Sequence, residues 1–138
     1  MSERLFLDTA FIQALLNHRD QYHTQAKEML PRVRAANEVW VTEAVLVEVG
    51  NALSNSNRMA AAQFIRQCYR TENMRVVDIT SSLFAKALSL YAARSDKTWG
   101  LTDCLSFVVM ESENLELAVT ADRHFVQAGF RALLTEGK

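Results

Sequence analysis

Four acids stand where a carboxylate can do chemistry: Asp8, Glu48, Asp103 and Asp122. Asp8, in RLFLDTAFIQALL, ends a short apolar run and opens a helical pattern, and Asp122 does the same in LAVTADRHF. In an open parallel sheet, ligands gather beyond the carboxyl ends of the strands, which places both acids on one rim. Asp103, in GLTDCLSFVVM, falls in the first turn of a helix that is otherwise almost wholly apolar. Glu48 has Ala44, Val45, Val49 and Ala52 as its neighbours on a helix, so its carboxylate is expected on the core side. A charge there costs several kcal/mol unless a partner or a cation compensates.

Each acid also has a plainer reading. Asp8 and Asp122 serve equally well as helix N-caps, Asp103 as a partner of the helix dipole, and Glu48 as the partner of an arginine or a residue on a solvated edge. Together the four would repel one another and hold protons if nothing positive sat among them, and a divalent cation removes that conflict. Oxygen ligands without a nearby Cys or a paired His select Mg²⁺ or Mn²⁺ over zinc. His18, His23 and His124 show neither HxxxH nor HxH spacing and read as ordinary polar residues. Asp96 is a reserve fifth acid, Glu43 a first-turn dipole partner and Asp78 a strand-end residue. Thr120 and Ser106 could orient a water or a carboxylate, although hydroxyls at such positions are usually structural.

The elements that must position these residues follow from periodicity. Strands are expected at residues 4–8, in EVWVT, in MRVVDI, in LELAV and after Gly129, and helices lie between them. Thr42 is placed to cap the helix that contains Glu48, Thr80 or Ser81 the one beginning SSLFAKAL, and Pro31 to bend or split its helix. Strands alternating with helices predict an α/β fold, a three-layer α/β/α sandwich around a parallel sheet of about four to five strands. Trp40 belongs to the core, and Phe64, Ile65, Tyr69 and Leu90 face either the core or a partner.

The chain has 138 residues, 49% of them hydrophobic, with one proline, which predicts a single folded domain over residues 1–138 rather than a disordered segment. Fifteen basic and sixteen acidic residues give a net charge of −1, so a polyanion would have to meet a local patch. Cys68 and Cys104 have no metal-ligand spacing and suit a reduced, cytoplasmic protein. No apolar stretch approaches the length of a signal peptide or a membrane span.

The segments FLDTAF, VTEAVLVEVGNAL, WGLTDCLSFVVM and AVTADRHFVQAGF resemble, in order and spacing, the acidic motifs of the PIN-domain family. The likeness covers essentially the whole chain and is greatest to the VapC-type ribonucleases of bacterial toxin–antitoxin modules. It implies metal-dependent cleavage of RNA by four acids at one end of the sheet. Carried over motif by motif, these are Asp8, Glu48, Asp103 and Asp122, both as catalytic residues and as ligands of Mg²⁺ or Mn²⁺; the VGNAL after Glu48 favours it over Glu43. The resemblance further implies a homodimer and a cognate antitoxin protein. Lys97, Trp99, Arg94 and Arg123 could form a basic and stacking surface for single-stranded RNA, with packing as the competing role of Trp99. A catalytically silent PIN module that binds RNA or a protein is the second reading. An aspartyl phosphatase is disfavoured by Ala10, which occupies the place of its second acid.

Overall fold

Alternation along the first strand divides the molecule into its layers. Leu5 and Leu7 enter one hydrophobic cluster and Phe6 the other, so β1 (Arg4–Leu7) is apolar on both faces and must be covered on both. The computed structural model describes residues 3–136. β1 pairs in parallel with β2 (Glu38–Thr42) and β4 (Leu117–Val119); β3 (Met74–Val77) extends the sheet beyond β2, and β5 (Arg131–Ala132) extends it beyond β4. The order is β3-β2-β1-β4-β5, five strands and all parallel, within the expected range.

One face is covered by α1 (Thr9–Leu16), α2 (His23–Ala35), α3 (Glu43–Ala52) and α4 (Arg58–Arg70), which bury Phe11, Ile12, Ala26, Val45, Val49 and Cys68 there. The other is covered by α5 (Ser81–Ala93), α6 (Leu101–Ser112) and α7 (Arg123–Gln127), through Ala87, Phe107, Met110 and Phe125. This is the three-layer α/β/α arrangement. A short 3₁₀ turn, Leu133–Thr135, returns Leu133 and Leu134 to the first cluster.

The capping expectations hold: Thr42 Oγ1 accepts the Val45 amide hydrogen at 3.2 Å, and Thr80 Oγ1 that of Leu83 at 3.1 Å. Pro31 does not split α2, because it lies on the exposed side where water can satisfy the carbonyl its missing amide leaves free. β3 stops at Val77, short of Asp78 and Ile79. Gly129, at φ +97°, makes the left-handed turn between α7 and β5. Phe64, Ile65 and Leu90 pack half-buried against the two clusters, as Trp40 does. Tyr69 is exposed but donates its hydroxyl to Glu43 at 2.6 Å. The apolar residues that do face outward on α5 are Phe84, Leu88 and Tyr91. Among the described residues no helix is long and apolar enough to cross a membrane.

Strands β1 to β3 progress in one direction, and the chain then crosses to β4 on the other side of β1. The reversal falls between the carboxyl ends of β1 and β4, where an α/β sheet opens a crevice for ligand. Phe125 locks the end of this region: it is fully buried, edge-on to Phe107 at 5.0 Å and 6.3 Å from Phe6. Phe125→Ala is expected to cost about 3–5 kcal/mol in urea denaturation, as for other large aromatic deletions in a core.

Candidate functional site

Asp8 occupies the N-cap position of α1 but makes no capping bond. Its side chain turns instead to the neighbouring strand, where Oδ2 accepts the Thr120 hydroxyl hydrogen at 2.8 Å. Asp8 is only 4% exposed. Burial pushes its carboxyl up to about 7; the charges of Asp103 and Asp122 add to this, and the hydrogen bonds from Thr120 and the Thr9 amide oppose it. Thr120, fully buried, also accepts the Asp122 amide hydrogen at 2.9 Å. It is therefore an orienting residue, whereas Ser106 simply donates back to the Thr102 carbonyl at 3.1 Å.

Asp122 does cap α7, accepting the His124 amide hydrogen at 2.9 Å on Oδ1. Asp103 accepts the Gly100 amide hydrogen at 3.1 Å, as an acid in the first turn of a helix should. Burial raises its carboxyl above the usual range, with Asp122 adding to this and Gly100 and His124 pulling it back. The plain and the functional readings of these acids therefore coexist, since a capping carboxylate keeps an oxygen for another partner.

Glu48 requires a correction. Its side chain is exposed, although it falls between buried Ala44 and Val45 around α3: this flank of the helix meets the start of α1 at Thr9 rather than the core. It still reaches the site's margin, where Oε1 accepts the Thr9 hydroxyl hydrogen at 2.8 Å, one residue after Asp8. Asp96 is also corrected: Arg94 binds it in a fork at 2.9 and 3.0 Å and holds its carboxyl down at about 2, so its charge is already matched. Trp99 is 7% exposed, donates Nε1–H to Gln127 at 3.0 Å and lies under the Arg94 guanidinium at 5.0 Å. It is a packing residue and cannot stack on a base.

His124 is the residue that spacing did not disclose. Its Nδ1 lies 3.2 Å from Asp103 Oδ2 and 3.3 Å from Asp122 Oδ1, and ligand atoms of all three residues fall within 4.8 Å of one another. Asp103 and Asp122 are thus brought together directly, Asp8 is joined to them through Thr120 and its own charge, and Glu48 stands at the edge. Beside Asp122 a cleft of about 320 Å³, bordered by Gln13, Gln21 and Tyr22, opens to solvent.

An all-parallel sheet with one buried and two half-buried acids at its strand reversal defines a class of protein, and the sequence comparison agrees: residues 5–131 match the PIN domain, and the chain belongs to that family. Among solved structures it is similar to Mycobacterium tuberculosis VapC20, a sarcin-ricin loop cleaving toxin, with a TM-score of 0.83 and 26% identity over 92% of this chain and 96% of that one. It shares its fold with FitAcB from Neisseria gonorrhoeae, with a TM-score of 0.61 and 14% identity over 93% of this chain and 95% of that one. A search of curated proteins finds no significant match.

The state of Asp8 makes a pH test possible. An acid with a folded pKa near 7 and an unfolded value near 4 favours the folded state fully below pH 4 and loses that contribution as pH rises to 7. The loss amounts to roughly 4 kcal/mol, and Asp103 acts in the same direction. In EDTA, urea stability is expected to fall from pH 5 to pH 8 and the fall to be much shallower in Asp8→Asn. Parallel curves for the two proteins would assign the proton elsewhere.

Proposed function

We propose that this protein is a Mg²⁺- or Mn²⁺-dependent endoribonuclease, the toxin of a toxin–antitoxin pair. The observation that carries the proposal is a nearly buried Asp8, pinned by Thr120 beside Asp103 and Asp122 at the strand reversal. The donor set fits a hard divalent ion, since carboxyl groups forced toward the protonated state by burial and by each other are relieved by a cation. Asp8, Asp103 and Asp122 would hold it, with Glu48 joining from the exposed side.

Bound there, the ion supplies an activated water and stabilises the charge that builds on the phosphate. The protein's own groups do the positioning. Thr120 sets the Asp8 carboxylate, Thr9 sets Glu48, and the Gly100 amide sets Asp103. The cleft beside Asp122 would receive a strand of RNA, and with Arg94 and Trp99 assigned to packing, exposed Arg123 and half-buried Lys97, which also stands 3.9 Å from Asp96, would supply cations for its phosphates. Similarity to a sarcin-ricin loop cleaving toxin supports RNA as the substrate class.

The protein is proposed to act as one domain in the cytoplasm, as a homodimer restrained by an antitoxin. Phe84 and Leu88, one turn apart on α5 with Tyr91 following, offer an exposed apolar stripe for such contacts. A silent RNA- or protein-binding PIN module is the competing reading, and the close grouping of three acids speaks against it, because a binding module has no use for the electrostatic cost.

Asp8→Asn and Asp103→Asn, each folded by circular dichroism, are expected to lose RNA cleavage by roughly 100-fold or more, as several kcal/mol of charge stabilisation disappears. EDTA should do the same to the native protein, and Mn²⁺ should restore it. Cleavage that survives both substitutions would sink the nuclease assignment.

A further inference from the structure

His124 lies at the second position of α7, with its side chain 21% exposed and its ring turned toward the acids. Nδ1 stands 3.2 Å from Asp103 on α6 and 3.3 Å from Asp122 at the end of the β4 loop. Both separations are long for a charge-assisted hydrogen bond, which closes to about 2.7–2.9 Å. A single ring N–H also has one direction and cannot serve two carboxylates arriving from different elements. The separations do suit another arrangement. Ligand atoms about 2.1 Å from an octahedral ion lie about 3.0 Å apart when adjacent, close to both distances measured here.

The far side of the ring supports this. Thr98 Oγ1 lies 3.2 Å from Nε2 and can accept its hydrogen. Without a cation Nδ1 can carry the hydrogen that Asp103 accepts; with one, the tautomer held by Thr98 turns the Nδ1 lone pair to an ion between the two carboxylates. An outer hydroxyl or carboxylate that fixes the non-coordinating nitrogen is the usual accompaniment of a metal-bound histidine.

We propose that His124 completes the metal centre, giving its Nδ1 lone pair to the ion held by Asp103 and Asp122, so that one imidazole and two carboxylates select Mn²⁺ over Mg²⁺. This rests on the metal-nuclease reading above and specifies its ion. Mg²⁺ takes oxygen ligands almost exclusively, whereas a nitrogen donor adds affinity for transition ions.

The test is to titrate Mn²⁺ and, separately, Mg²⁺ into the purified full-length protein by calorimetry, and to record pulsed electron paramagnetic resonance of the Mn²⁺ form. The native protein is expected to show the coupling of a directly bound imidazole nitrogen, altered by ¹⁵N-histidine labelling and kept in His18→Gln. His124→Gln should abolish the coupling and weaken Mn²⁺ about tenfold, with a much smaller change for Mg²⁺. The native spectrum is decisive even if that variant folds poorly. Mn²⁺ bound without nitrogen coupling, or with a coupling that persists in His124→Gln, overturns the proposal but leaves the nuclease reading intact provided Asp103→Asn loses the ion. If neither ion binds the native protein, both readings fail together.

Discussion

The Thr120 hydroxyl gives its hydrogen to Asp8 and receives one from the Asp122 amide, at 2.8 and 2.9 Å. Asp8 and Thr120 are 112 positions apart in the chain and meet only because β1 and β4 are neighbours in the sheet. Fully buried, this hydroxyl has no water to replace either partner, so the two strand ends, the start of α1 and the start of α7 must hold one geometry. The parallel order with its reversal at β1 is what makes the meeting possible.

Around that contact the fold assembles negative charge and then moderates it. Asp8 and Asp103 sit at the amino ends of α1 and α6, where backbone dipoles offset part of the repulsion. The balance is incomplete, as the raised pKa values of both acids show. The repulsion that remains is concentrated in Asp8 and Asp103. Elsewhere acids are matched conventionally: Asp96 with Arg94, Glu3 with Arg32, Glu136 with Arg131. Asp103 and Asp122, by contrast, share a histidine, His124, as their ion-pair partner.

Much of this was legible in the residues themselves. Continuous apolar strands, separated by helices with Thr caps, specify a parallel sheet covered on both faces, and an acid directly after β1 and another just beyond β4 mark its carboxyl rim. What escaped reading was direction. Glu48 has apolar neighbours at helical spacing, and Ala44, Val45, Leu46 and Val49 are indeed buried, yet its own side chain reaches the open margin beside Thr9, which helical spacing alone does not encode. Trp99 and Arg94 satisfy one another and their neighbours, a pairing between a loop and helix ends that linear spacing does not encode. His124 was invisible because its acids come from α6 and from the loop after β4, so no local motif contains all three.

Biosynthesis meets this architecture in a particular order. β1 precedes the other strands and takes β2 as its first neighbour, but its other neighbour is β4, made only after β2 and β3. Until then Asp8 has neither the Thr120 hydroxyl nor Asp122 beside it. A nascent or prematurely terminated chain can build most of the first helical layer before its acids are brought together. The late strand thus acts as a built-in delay: the acids of the two strand ends come together only after β2, β3 and the helices between them have been made.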